Sequence, residues 1–143
     1  MRQPTTPLIC ALLILGLLVS CAPASTRVAP TDIVPLPGKA VITGEISGRP
    51  RRWANEALVI YAAPYSGDAN QAGVYFLEPA LHPHAPLDGD AFQLDAAPGD
   101  YVLVVGPSAE EALLLVDDQS QPLRIKVKTA QVIELGRVAL SLP

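Results

Sequence analysis

Two histidines and two aspartates crowd into His82-Pro83-His84-Ala85-Pro86-Leu87-Asp88-Gly89-Asp90. Imidazole nitrogens and carboxylate oxygens can ligate Zn²⁺ or Cu²⁺, and in an extended His-x-His both rings leave the chain on the same side. The prolines and the glycine oppose that reading. They mark an exposed loop, and Asp88-Gly89-Asp90 is good turn chemistry. Asp88 and Asp90 could also join Asp117 and Asp118 around a Ca²⁺ at one end of a domain, but no Asp-x-Asp-x-Asp-Gly loop is present to wrap the ion. His82, His84, Asp88 and Asp90 are therefore the metal candidates, with a solvated turn as the favoured reading and no cofactor expected. For hydrolysis, His82 and His84 are the only histidine bases, and the chain holds neither G-x-S-x-G nor H-E-x-x-H. Spacing alone leaves carboxylate pairs for glycoside chemistry open. The acids lie in turns at strand ends, however, so no catalytic residue is assigned and an enzyme is not expected.

The remaining reactive side chains are two cysteines, Cys10 and Cys21. Cys10 lies in the apolar run Leu8–Val19, which follows Arg2 and the Pro- and Thr-containing start of the chain. Twelve residues match a secretory h-region and are too short for a spanning helix, which needs about 17–25. The run closes on Leu18-Val19-Ser20-Cys21. This resembles the lipobox of bacterial lipoproteins, with a branched residue three positions before a cysteine and a small residue directly before it. The resemblance implies that residues 1–20 are removed, that Cys21 carries diacylglycerol through its sulfur, and that a further acyl chain such as palmitate joins the new N-terminus. The partner implied is a membrane. Ala22, where an inner-membrane retention signal would have Asp, implies the outer membrane of a two-membrane bacterium or the outer face of a one-membrane cell. With Cys10 gone and Cys21 acylated, the domain beyond has no thiol for a disulfide, a thiolate metal site or a nucleophile.

The rest of the chain must position these groups. Residues 21–38 hold Pro23, Pro30, Pro35 and Pro37 and read as an extended tether. From residue 39 to 143 the apolar period is two, as in strands. Strands are expected at Ala40–Ile46, Leu58–Tyr61, Val74–Leu77, Ala91–Asp95, Tyr101–Val105, Leu113–Val116, Leu123–Lys128 and Val132–Leu140. Leu58–Tyr61 and Tyr101–Val105 are apolar on both faces, as inner strands are, and Ser108–Glu111 could cap one helical turn. Fifteen prolines and 10 glycines disfavour long helices. The expectation is an all-β sandwich of seven or eight short strands. In the last strand Ile133 and Leu135 alternate, and then the apolar residues shift to Val138 and Leu140, so one extra residue at Gly136-Arg137 predicts a β-bulge.

Gly44-Glu45-Ile46-Ser47-Gly48-Arg49-Pro50, the strand Leu58–Tyr61, and Phe92-Gln93-Leu94-Asp95-Ala96-Ala97-Pro98-Gly99-Asp100-Tyr101 together resemble the carboxypeptidase regulatory-like domain. The resemblance implies an Ig-like or transthyretin-like (prealbumin-like) β-sandwich over about residues 39–140, acting as an accessory or adhesive module without catalysis. Pro98-Gly99 predicts a type II turn with Gly99 at positive φ, and the Tyr101 hydroxyl is expected to find a partner near the rim.

Charge narrows the partners. Ten Lys and Arg against 14 Asp and Glu give −4, which argues against nucleic acid. Arg124, Lys126 and Lys128 form one basic stripe, read as an edge strand guarded by cations and otherwise able to meet an anionic envelope polymer or lipid head groups. Arg49, Arg51 and Arg52 surround Trp53, which is expected half-covered at one end of the core with an Arg over its ring. The function expected is a lipid-anchored extracytoplasmic module of the cell envelope, binding or structural, with a possible envelope protein or glycan partner. The alternative is a metal- or carbohydrate-binding surface lipoprotein that uses the 62–91 loop region.

Overall fold

The computed structural model describes residues 33–67 and 73–141. The signal segment, Cys21 and most of the tether lie outside the described residues. Among the described residues nine strands run in order: β1 (Ala40–Ser47), β2 (Val59–Ser66), β3 (Val74–Tyr75), β4 (His84–Pro86), β5 (Ala91–Ala96), β6 (Gly99–Gly106), β7 (Leu113–Val116), β8 (Arg124–Val127) and β9 (Val132–Leu140). One 3-10 turn, Arg51–Trp53, separates β1 from β2, and the described residues contain no α-helix. The fold is all-β and sandwich-like.

The strands form one curled sheet in the order β3-β2-β6-β7-β9-β1-β5, with β4 also on β2 and β8 also on β6. β7 makes the curl. Leu113 and Leu114 pair with β6, whereas Leu115 and Val116 pair with β9. The layer of β2, β4, β6 and β8 thus passes into the layer of β1, β5 and β9. Between them lies the core, with Ile42, Ile60, Leu94, Leu103, Val105 and Leu115 fully buried. β6 is buried at every position from Tyr101 to Val105, and in β2 the run Ile60–Ala63 is buried, as expected of inner strands.

Several expectations are corrected. The strand count is nine because His84–Pro86, read as exposed loop, pairs with β2 through Tyr61↔His84, Ile60↔Ala85 and Val59↔Pro86. Prolines survive there because β4 is a short edge. β2 runs five residues past Tyr61, through Ala62, Ala63 and Pro64. Ala62 donates its N–H to Pro83 O across the β4 edge. By alternation Pro64 turns its missing donor to that same side, in the gap between β4 and β3. Val74–Leu77 contributes only two paired residues, both exposed. Ser108–Glu111 is a turn rather than a helical turn.

The β-bulge is present. β1 and β9 run parallel, with Thr43 opposite Glu134 and then Glu45 opposite Arg137, so one residue of β1 faces two of β9. Gly136 takes φ +66° in that gap, and the shift returns Val138 and Leu140 to the core.

The Pro98-Gly99 turn differs from expectation. Gly99 is not among the positive-φ glycines and already belongs to β6. β5 pairs with β1 and β6 with β2, so Ala97-Pro98 carries the chain from one layer to the other instead of closing a hairpin. Packing, not a left-handed backbone, is what opposes a side chain here. A Cβ at Gly99 would stand 3.1 Å from the Tyr101 ring and hydroxyl. That ring is held because its hydroxyl donates to Ala97 O at 3.1 Å.

Candidate functional site

Pairing with β2 holds His84 on the exposed β4 edge, two residues beyond His82 in the preceding turn. His82 Nδ1 accepts the backbone N–H of Glu78 at 2.9 Å, which leaves the ring proton on Nε2. His84 Nδ1 lies 3.0 Å from His82 O, and since a carbonyl can only accept, this nitrogen donates. The two rings therefore have opposite tautomers. Nε2 of His84 keeps a lone pair, whereas Nδ1 of His82 can ligate a metal only by giving up the cap on Glu78. Each ring also packs on an aromatic neighbour, His84 beside Tyr61 at 5.8 Å and His82 edge-on to Phe76 at 6.3 Å.

The aspartates of the stretch serve the next turn. Asp88 and Ala91 exchange backbone hydrogen bonds across Gly89-Asp90, with Gly89 at φ +62°. Asp90 pairs with Arg49 at 3.0 Å, and the same guanidinium donates to Gly89 O. Arg49 thus clamps the turn leading from β4 into β5. Among the described residues no three His, Cys, Asp or Glu side chains come together to hold a metal. Asp117 spends one carboxylate oxygen on the N–H groups of Gln119 and Gln121, both at 2.9 Å, which shapes the β7–β8 turn. Glu110 is held below the usual carboxylate range by its own backbone N–H and then by the Ser108 hydroxyl.

Trp53 is buried rather than half-covered. It closes the end of the core near the Arg49 clamp, with the Arg52 guanidinium 5.3 Å from its ring centroid. The basic stripe alternates as expected, Arg124 and Lys126 outward, Ile125 and Val127 inward, on a strand that pairs only with β6. Arg124 lies 4.3 Å over the Tyr65 ring, and the two line an open cleft of about 410 Å³ with Asp100 and Lys126. Nothing in the sequence signals this pair, because β2 is expected there to end at Tyr61. The Arg49 clamp was equally hidden, as its partner Gly89 lies 40 residues away.

No protein-family model matches the chain, and no curated protein sequence matches it either. Among solved structures it is similar to a 9R-lipoxygenase from Cyanothece PCC8801, at 10% identity and a TM-score of 0.35. That likeness covers 71% of this chain and 16% of the lipoxygenase. A match this loose carries no argument about activity.

Proposed function

We propose that the protein is a lipid-anchored, extracytoplasmic, non-catalytic binding or structural module of the bacterial cell envelope. The observation that carries this reading is Leu18-Val19-Ser20-Cys21 closing a 12-residue apolar run, ahead of a Pro-rich tether and an all-β domain whose first strand begins at Ala40. Cys21 is the acylated residue. One chain holds a protein to a bilayer only marginally, whereas two or more hold it stably. The non-catalytic part is supported by where three of the candidate side chains are engaged. His82 caps Glu78, Asp90 is paired with Arg49, and Asp117 closes its own turn. Each holds backbone in place rather than facing a partner across a cleft.

The test is metabolic labelling with an alkyne fatty acid, followed by fractionation. The wild-type chain should carry the label, run at the mass lacking the signal and stay with membranes. Cys21→Ala should be unlabelled and keep the larger mass. Equal labelling of the two chains overturns the proposal.

A further inference from the structure

We propose that the end of the sandwich from which the tether leaves rests on the lipid surface, through its exposed apolar side chains. This rests on the anchored reading and adds to it how the domain stands on the membrane.

Strand register, with the contacts of the residues just outside the strands, places six of these side chains at one end. Ala40 pairs with Ala96, Val41 with Val132, Gly99 with Val127, Pro64 with Tyr101 and Ser66 with Val74. The starts of β1, β6 and β9 and the ends of β2, β5 and β8 therefore share this end. Leu81 and His82 line a shallow depression with Lys39, Asp95 and Ala97, at the start of β1 and the end of β5, and Phe76 packs on His82. Val34 and Leu36 lead into β1 through the Leu36–Lys39 turn. Val34 is 80% exposed, Leu36 53%, Val74 71%, Phe76 67%, Leu81 79% and Val132 37%. Among the described residues the only other large apolar side chain left exposed is Tyr75, beside them on β3. The opposite end, with the Asp88–Ala91 turn and buried Trp53, has none.

Lys39, Lys126 and Lys128 are exposed around the rim, and their stems can lie along the apolar surface with the ammonium groups at the head groups. Glu78, Asp95 and Asp100 at the same end offset their charge, so apolar burial and not net charge carries the contact. The occupant follows from the chain itself. The described chain begins at residue 33, only 12 residues after Cys21, and enters β1 at this end. An anchored domain meets the bilayer at a high effective concentration, so a weak contact suffices.

The test uses the mature lipoprotein in vesicles of phosphatidylethanolamine and phosphatidylglycerol. A polarity-sensitive dye is attached at Leu81→Cys, at Phe76→Cys or, as the far-end control, at Asp88→Cys. The parent without an added thiol is treated alongside. The expected result is a blue shift and severalfold quenching by brominated lipid at 81 and 76, with the dye at 88 in water and the parent unlabelled. If all three dyes report water while the parent stays unlabelled, the anchor stands and the contact is overturned. A blue shift that brominated lipid does not quench means a second copy covers the face, which also overturns it. Labelling of the parent shows Cys21 free, and the anchored reading falls together with this one.

Discussion

Gly136 gives the sharpest check on how the last strand meets its neighbour. It stands at φ +66° inside the β1–β9 bulge, and a Cβ built there would find no atom within 4 Å. Replacement thus meets a conformational cost and no steric one. A left-handed backbone costs an ordinary L-residue about 1–2 kcal/mol, while stiffening the unfolded chain returns about 0.4–1 kcal/mol. Gly136→Ala should therefore lose about 0.5–1 kcal/mol net. Gly136→Asn should lose less, because Asn tolerates this region, and Gly136→Val should lose most, at about 1–3 kcal/mol for a β-branched residue. Gly99 is the control with the opposite physics. Its φ is not positive, but its Cβ would press on the Tyr101 ring at 3.1 Å, so cost there should rise with side-chain size and Asn should be worse than Ala. The measurement is equilibrium urea denaturation followed by fluorescence of Trp53, the one tryptophan, which is buried in the core. An inverted order of Asn and Ala at the two glycines is the expected result. Ala tolerated as well as Asn at 136 would show that the bulge is not held in the left-handed region, and the β1–β9 register shift would lose its cause.

Tyr101→Phe removes the hydrogen bond to Ala97 O and should cost about 0.5–1.5 kcal/mol at neutral pH. Burial raises the Tyr101 pKa above its usual 10.0. The folded state thus keeps the phenol proton more tightly than the unfolded one, and this contribution is whole below pH 10.0 and lost as pH climbs through the folded value. Melting temperature in alkaline buffers should accordingly fall more steeply for wild type than for Tyr101→Phe, and parallel slopes would refute the effect of burial. For the histidines, His84→Ala should stay within about 0.5 kcal/mol, while His82→Ala, which uncaps the Glu78 N–H, should cost about 0.5–1.5 kcal/mol. Zn²⁺ should leave the melting temperature unchanged; a rise seen in wild type and absent when His82→Ala and His84→Ala are combined would establish a metal site.

How much was legible in the sequence depends on the range of the interactions involved. The bulge could be read because a break in a period of two has only one repair, an extra residue in the strand. β2 and β6 could be read as inner strands because they are apolar on both faces. β4 could not. Its His-Ala-Pro has poor strand propensity, and it pairs only because Tyr61 to Val59 offer an open edge beside it. The Pro-Gly pair misled for a related reason. Pro-Gly specifies a tight reversal when the flanking strands pair with each other, but here they belong to different layers, and the glycine answers to Tyr101. In the candidate site, residue types were legible while their engagements were not. Asp90 is drawn to Arg49 and His82 to the Glu78 N–H, and such partners are set by the folded path of the chain.

The same limit explains the asymmetry between the two ends. Val74-Tyr75-Phe76-Leu77 is as apolar as Val102–Val105, and a reading by period treats them alike. Yet Val102–Val105 is buried, while Val74, Tyr75 and Phe76 stand out in solvent. The difference is neighbours. β6 has β2 on one side and β7 and β8 on the other, whereas β3 pairs with β2 through only two residues. Exposed apolar side chains scattered singly need no explanation, whereas their concentration at one place does. At the far end the chain had the means to cover such groups and used them, burying Trp53 and clamping the Asp88–Ala91 turn with Arg49. At the tether end it placed Val34, Leu36, Phe76 and Leu81 in solvent beside the segment that leads back to Cys21. An unsealed end next to the proposed lipid anchor is consistent in chemistry, because a bilayer would supply the apolar cover that the sandwich itself lacks.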